Sequence, residues 1–496
     1  MPINLKKRAS YFMHLARLVV LCCSFLFGVV ACGDRFSSSK LQDIKNDNVL
    51  KVGILFDPTS YYIDASGAAG FEYELVQQFG DYLDVEIEFI PSYNSAELLP
   101  KLKSGQVDIV VGGVANAIES SNEFRLSPPY YFIDQKLVFK QGRQRPKSFE
   151  EMNAPITVGL GTGHVKTLNS IVDEFPNLKI NVINNTDPTE LLEALMAEEF
   201  EFTIADSHRL ALMRRYYPDI SIAFTVKKDV PLNWLLPQNE DDSLFATLIE
   251  FFGELHKNGE LIALEDKYFG HVEKFNYVDT RLFIKAIEDV LPKYKPWFEE
   301  YSGDLDWRLI AAQSYQESHW NPRAKSPTGV RGIMMLTQPT AKQMGVKSRL
   351  HAESNIRGGA QYLNLLMQRI PKRISESDRP WFALAAYNIG WGHVQDGRRI
   401  TEEFGGDPDK WVDVKQHLPK LRQKKYYKTT RYGFARGDEA VTYVSNIRRY
   451  YDTLNWIEDQ AIQQELIEKN IEQQKERANE EIGEQPANDL DENLNQ

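Results

Sequence analysis

Between residues 49 and 270 short β-rich runs alternate with helical segments, whereas beyond residue 271 the apolar spacing becomes helical. That change of period divides the chain into an α/β region and a mainly α region. The β-rich runs fall at 50–56, 85–90, 107–111 and 135–140. A second set at 156–160, 179–183 and 202–205 predicts another α/β lobe, inserted before the chain returns to the first near 231–236. A chain of 496 residues exceeds what one core usually organises, so two folded domains with terminal extensions are expected.

The formal charge of -12 is misleading, because residues 458–496 hold twelve Asp/Glu against three Lys/Arg and supply -9 of it. The remaining body is near neutral and gives no electrostatic case for nucleic acid. Few apolar residues and Pro486 near the end predict that this acidic tail is a frayed helix passing into disorder. All three cysteines, Cys22, Cys23 and Cys32, lie in the first 32 residues, so no disulfide framework or Cys-based zinc site is possible downstream. Lys6, Lys7, Arg8 and Arg17 precede an uncharged run over 18–31, the charge order of a secretory signal and too short to span a bilayer comfortably. Its end, Val29-Val30-Ala31-Cys32-Gly33, resembles a bacterial lipobox, which implies cleavage after residue 31 and a lipid on Cys32. Residues 32–48 are then anchor and linker. Asp is absent directly after the cysteine, which points to the periplasmic face of the outer membrane.

Within 49–270 stand Val52-Gly53-Ile54, Gly70-Phe71-Glu72-Tyr73-Glu74-Leu75, Leu102-Lys103-Ser104-Gly105-Gln106-Val107-Asp108 and Ser127-Pro128-Pro129-Tyr130. Together they resemble the periplasmic solute-binding proteins that capture amino acids between two lobes. The resemblance implies a carboxylate-gripping Arg seven residues before Ser127, where this chain has Ser120, and an amine-accepting Asp at Asp206. Half of the ammonium/carboxylate recognition is missing, since a serine hydroxyl does not replace bidentate guanidinium pairing. The expected partner is a small amine-bearing ligand or a cell-wall peptide fragment. Gly159-Leu160-Gly161-Thr162-Gly163 lacks the third glycine of a dinucleotide fingerprint and reads as a strand-to-helix turn. The resemblance makes Thr162 a ligand contact. His164 has no second His or Cys at ligand spacing and is expected at the surface, not on a metal.

In 271–457, Leu305, Leu309, Ala312 and Gln316 draw one stripe along a helix starting near Asp304 or Asp306, with Glu317 at its end and Pro322 closing it off. Asp304 and Asp306 read as caps, and Tyr294, Trp297, Phe298 and Trp307 as core. Between Ala311 and Val346, Glu317 is the only acidic residue. Glycosidases that hydrolyse normally need a second carboxylate, whereas attack by the sugar's own hydroxyl does not. Apolar walls that would keep Glu317 protonated are sought in Trp320, Met334 and Met335.

The run 316–336, from Gln316-Glu317-Ser318 to Met334-Met335-Leu336, strongly resembles lytic transglycosylases of the goose-lysozyme-like superfamily. Ala385-Ala386-Tyr387-Asn388-Ile389-Gly390 matches their second motif, and Tyr432 to Ile447 their closing helix. This likeness implies a lysozyme-like fold, peptidoglycan as substrate and Glu317 as acid, then base, in closing a 1,6-anhydromuramoyl ring, with no cofactor. It implies further that Ser326 binds the acetamido group, that Tyr387 and Asn388 line the cleft, and that Met335 replaces a substrate-contacting glutamine. The two blocks together resemble membrane-bound lytic murein transglycosylases. A lysozyme-type hydrolase and a catalytically silent envelope-binding protein stay open as alternatives.

Overall fold

The computed structural model describes residues 39–483 apart from 65–66, 94, 118–122, 185, 239–240, 270–276 and 327–328. The expected signal and anchor at Cys32, the Ser120 position and the last thirteen residues lie outside the described residues.

The α/β region consists of two five-stranded sheets. The first runs Glu86–Ser92, Val49–Leu55, Ile109–Val111, Leu235–Pro237, Phe124–Leu126. Its first three strands are parallel, and Leu235–Pro237 pairs antiparallel to both neighbours. Parallel strands need cover on both faces; hence Ile109, Val110 and Val111 are all buried. The second sheet runs Ile220–Leu232, Tyr131–Lys140, Phe202–Asp206, Ile156–Gly159, Ile180–Ile183. The chain leaves the first sheet after Leu126 and returns at Leu235, so the first lobe is discontinuous and the second is a continuous α/β insertion within it. Where the crossings meet, Trp234 N donates to Ser127 Oγ at 2.9 Å and Asn233 Nδ2 to Ser127 O at 2.7 Å.

Every expected β-rich run is a strand, but the structure adds four more. Ile220–Leu232 is a thirteen-residue strand with register shifts against Tyr131–Lys140. Those irregularities and the exposed Lys227-Lys228-Asp229 break the alternation by which a strand is recognised. Tyr62–Asp64 with Gly67–Ala69, and Phe124–Leu126, are three-residue strands too short to show a period.

The mainly α region wraps its helices around one core that includes Phe283, Tyr315, Trp320, Ile333, Phe382 and Ile447. Tyr294 and Phe298 are buried in it, while Trp297 and Trp307 pack partly buried against it. The last helix, Gly437–Gly483, enters this core through Tyr443, Val444, Ile447 and Tyr450 and continues through the first part of the acidic tail. It also meets both lobes of the α/β region. Arg448 Nη1 bonds Asp266 Oδ2 at 3.1 Å, and Lys415 pairs with the other oxygen. Arg215 Nη1 bonds Asp452 Oδ2 at 2.7 Å, and Tyr216 stacks on Trp456 with centroids 4.1 Å apart.

Candidate active site

The helix Trp307–Ser318 starts as the cap pattern requires: Asp306 accepts from Arg308 N at 2.9 Å, satisfying a donor that the first turn leaves open. Asp304 lies exposed outside the helix. The helix stops where His319 and Trp320 adopt φ of 53° and 55°, with Pro322 just beyond. Glu317 is thus the penultimate helical residue, half-buried, at the edge of the loop that follows.

That loop is strapped to the helix. Ser314 Oγ and Ser318 Oγ, one turn apart on one face, both donate to Ile333 O, at 3.1 and 2.8 Å. Asn355 Oδ1 accepts from Met334 N at 2.8 Å, while its Nδ2 donates to Arg349 O at 2.8 Å. Gly332 has φ of +90°, and a Cβ there would lie 1.9 Å from Arg349 O, so only glycine allows so close an approach. Met335 itself has φ of 46°. The motif 331–336 therefore folds as a turn whose backbone is fixed from three sides.

Glu317 Oε1 accepts a hydrogen bond from Tyr443 Oη at 2.5 Å, and the same phenol oxygen receives Gln313 Nε2 at 3.2 Å. Gln313 precedes Glu317 by one turn and is fully buried. Burial pushes the Glu317 carboxyl up to about 7, against the smaller downward pull of the Tyr443 bond. Burial, then the nearby Glu317 charge, raises the Tyr387 and Tyr443 phenols well above their ordinary value, so both stay protonated donors. Tyr387 Oη donates to Met334 O at 2.9 Å, tying the second motif to the first.

Tyr387 thus binds the 331–336 turn that contains Met335 and stands close enough to Glu317 to feel its charge. Ser326 closes an adjoining turn, its Oγ accepting from Val330 N at 3.3 Å. Asn388 follows Tyr387 on the exposed side of the same helix end. Trp320, expected as a wall beside Glu317, instead points into the core: its indole donates to Ala311 O at 2.9 Å and its ring packs on Phe283 and Tyr315. Sequence reasoning assigned no role to Tyr443 or Gln313. The helical spacing of Gln313 to Glu317 marked a shared face, but nothing local announced a partner 126 residues away.

In the α/β region the Gly159–Gly163 stretch is the expected turn, with Gly161 at φ of +79°. Thr162 Oγ1 donates to Gly159 O at 2.7 Å and so serves the turn itself. His164 corrects the expectation of a surface residue. It is 2 % exposed, with Nε2 3.0 Å from Asp206 Oδ1, because the helix it starts packs against the other lobe. Burial would raise the Asp206 carboxyl, but the His164 charge and bond outweigh it and leave it at about 2.

Residues 50–271 match the bacterial extracellular solute-binding proteins, family 3, and residues 298–409 match the transglycosylase SLT domain. The membrane-bound lytic murein transglycosylase F of Idiomarina loihiensis is 53% identical over 434 residues, covering 87% of this chain and 95% of that one. Its counterpart from Pseudoalteromonas translucida is 50% identical over 442 residues, covering 89% and 93%. Among solved structures, an ancestral amino acid-binding protein aligns with 47% of this chain at 23% identity and a TM-score of 0.40, a likeness from which no ligand follows. With an α/β solute-binding-like region ahead of a helical transglycosylase domain, and half of its residues shared with such relatives over most of both lengths, the chain belongs to the membrane-bound lytic murein transglycosylase F family.

Proposed function

We propose that this chain cleaves the β-1,4 bond between N-acetylmuramic acid and N-acetylglucosamine in peptidoglycan without using water, with Glu317 as its one acid/base group. The observation that carries this reading is that the Glu317 carboxyl, at the end of its helix, takes its hydrogen bond from the phenol of Tyr443, while burial holds it at about 7. At neutral pH about half of such a group is protonated, the poise required of a residue that must first give a proton and then take one.

In the first step the Glu317 proton passes to the glycosidic oxygen as the bond to the muramic C1 breaks. In the second, the Glu317 carboxylate takes the proton of that sugar's C6 hydroxyl while its oxygen bonds C1, closing a 1,6-anhydro ring and restoring the acid. An intramolecular nucleophile draws on an effective molarity worth about 7–11 kcal/mol, so no base is needed to activate water. Tyr443 keeps the carboxyl oriented. Ser326, Met335, Tyr387 and Asn388 line the bound glycan.

Ahead of this domain, the two-lobed module senses a small ligand with Asp206 and Thr162 among its contacts. Acylated Cys32 holds the chain on the periplasmic face of the outer membrane, each buried methylene contributing about 0.8 kcal/mol. Among the described residues no helix is long and apolar enough to cross a membrane. Mass spectrometry of digested sacculi tests the catalytic assignment: the native chain should release anhydro-ended muropeptides and Glu317→Gln none. Undiminished release by that variant would remove Glu317 from its role.

A further inference from the structure

A buried ion pair bridges the two lobes. Arg209, on the lobe-2 helix Ser207–Met213, reaches across to lobe 1 and pairs through Nη1 with the carboxylate of Asp57, which follows the strand Val49–Leu55. The pair is buried on both sides, at 7% and 8% side-chain exposure. On lobe 2 the same guanidinium reaches Thr189 Oγ1 at 3.2 Å. Asp57 is otherwise committed to its own turn, accepting from Thr59 N at 2.7 Å. A second contact closes the lobes nearby, Ser95 Oγ lying 3.5 Å from Gly161 O.

The surroundings favour a cation. Asp206 and Asp187 stand close enough for their charges to act on Arg209. Of the neighbouring imidazoles, His208 is kept neutral, burial lowering it to about 4 against the opposing pull of Asp206. Asp57 is the carboxylate in contact with the guanidinium, while Asp206 is held by His164 and Asp187 caps the helix Pro188–Met196. Polar atoms are also left over: Ser60 Oγ, on a residue 1% exposed, and Arg209 Nε are buried with no partner in the described structure. Unpaired buried donors and acceptors are costly, and these two leave hydrogen-bonding capacity beside the pair that Arg209 does not meet.

We propose that Arg209 is the resident occupant of the cleft between the lobes, a built-in cation seated on Asp57, and that the ligand the module accepts is a small molecule whose amine or guanidine competes with Arg209 for that carboxylate. The inference rests on the reading that the module binds a small ligand, and it names the chemistry of that ligand. An internal competitor weakens ligand binding by the fraction of time it holds the site, so removing it strengthens binding. Once Arg209 is gone, Asp57 is a buried charge without its partner, and a soluble guanidine restores what was lost.

Calorimetry on the full chain with agmatine, a guanidine without a carboxylate, and N-acetyl-L-glutamate, carboxylates without an amine, provides the test. Arg209→Ala is expected to bind agmatine at least tenfold tighter than the native chain, and Asp57→Asn added to it should abolish the gain. In the native chain, saturating agmatine should speed hydrogen exchange in the helix Ser207–Met213 by freeing Arg209, a readout that does not depend on the variant folding. Agmatine binding that is indifferent to both substitutions, unchanged exchange, or a preference for N-acetyl-L-glutamate would overturn the proposal. Absence of heat with agmatine, amino acids and muropeptides alike would overturn it together with the wider ligand-sensing reading, which separates the two failures.

Discussion

Replacing Glu317 by Gln should abolish cleavage and stabilise the fold, but the stabilisation should appear only on one side of neutrality. Folding holds this carboxyl at about 7, up from its ordinary value of 4.5. Below pH 4.5 both states carry the proton, and the side chain has no effect on the balance. As pH rises from 4.5 to 7 the unfolded chain ionises first, so native stability falls, and above 7 the full penalty applies. At about 1.4 kcal/mol per pKa unit the upper bound is about 3.5 kcal/mol. Partial solvent access reduces it, while the Gln amide oxygen can still receive the Tyr443 hydroxyl. The expected gain is therefore about 1–3 kcal/mol at pH 8, or about 3–8 °C in the melting of the helical domain. Differential scanning calorimetry of the full chain at pH 4 and pH 8, following the transition that includes this domain, measures it. Equal shifts at both pH values, or destabilisation at pH 8, would refute the claim that burial raises this carboxyl.

Three further outcomes follow from the same geometry. Tyr443→Phe removes the bond that pulls the Glu317 carboxyl down, so the alkaline limb of the kcat/KM profile should move to higher pH while its maximum falls, as read by rates of muropeptide release. Gly332→Ala would place a Cβ 1.9 Å from Arg349 O at φ of +90°; a loss of more than about 2 kcal/mol is expected by denaturant unfolding, with cleavage lost in parallel. Asp266→Ala leaves Arg448 and Lys415 without their carboxylate at the junction between the α/β and helical regions. Removing one partner of a buried pair costs about 3–5 kcal/mol, and calorimetry should show the melting of the two regions drawing apart.

The architecture was legible wherever a period or a motif is local. The buried strands of the two sheets announce themselves as apolar runs, and the helix that carries Glu317 shows both its cap at Asp306 and its stop before Pro322. The long strand Ile220–Leu232 was hidden because its bulges and its Lys227-Lys228-Asp229 segment interrupt the alternation. What sequence could not supply is contact between distant segments. Trp320 lies three residues after Glu317, yet its positive φ turns it into the core. The group that does touch Glu317, Tyr443, comes from a helix 126 residues on. His164 failed for the same reason: its burial depends on a lobe assembled from chain before and after it.

The most direct test of the central claim is digestion of sacculi by the full chain in oxygen-18 water. Intramolecular attack under Glu317 predicts anhydromuramoyl ends that lack one water and carry no label. Reducing ends bearing one labelled oxygen would show that water is the nucleophile and contradict the account.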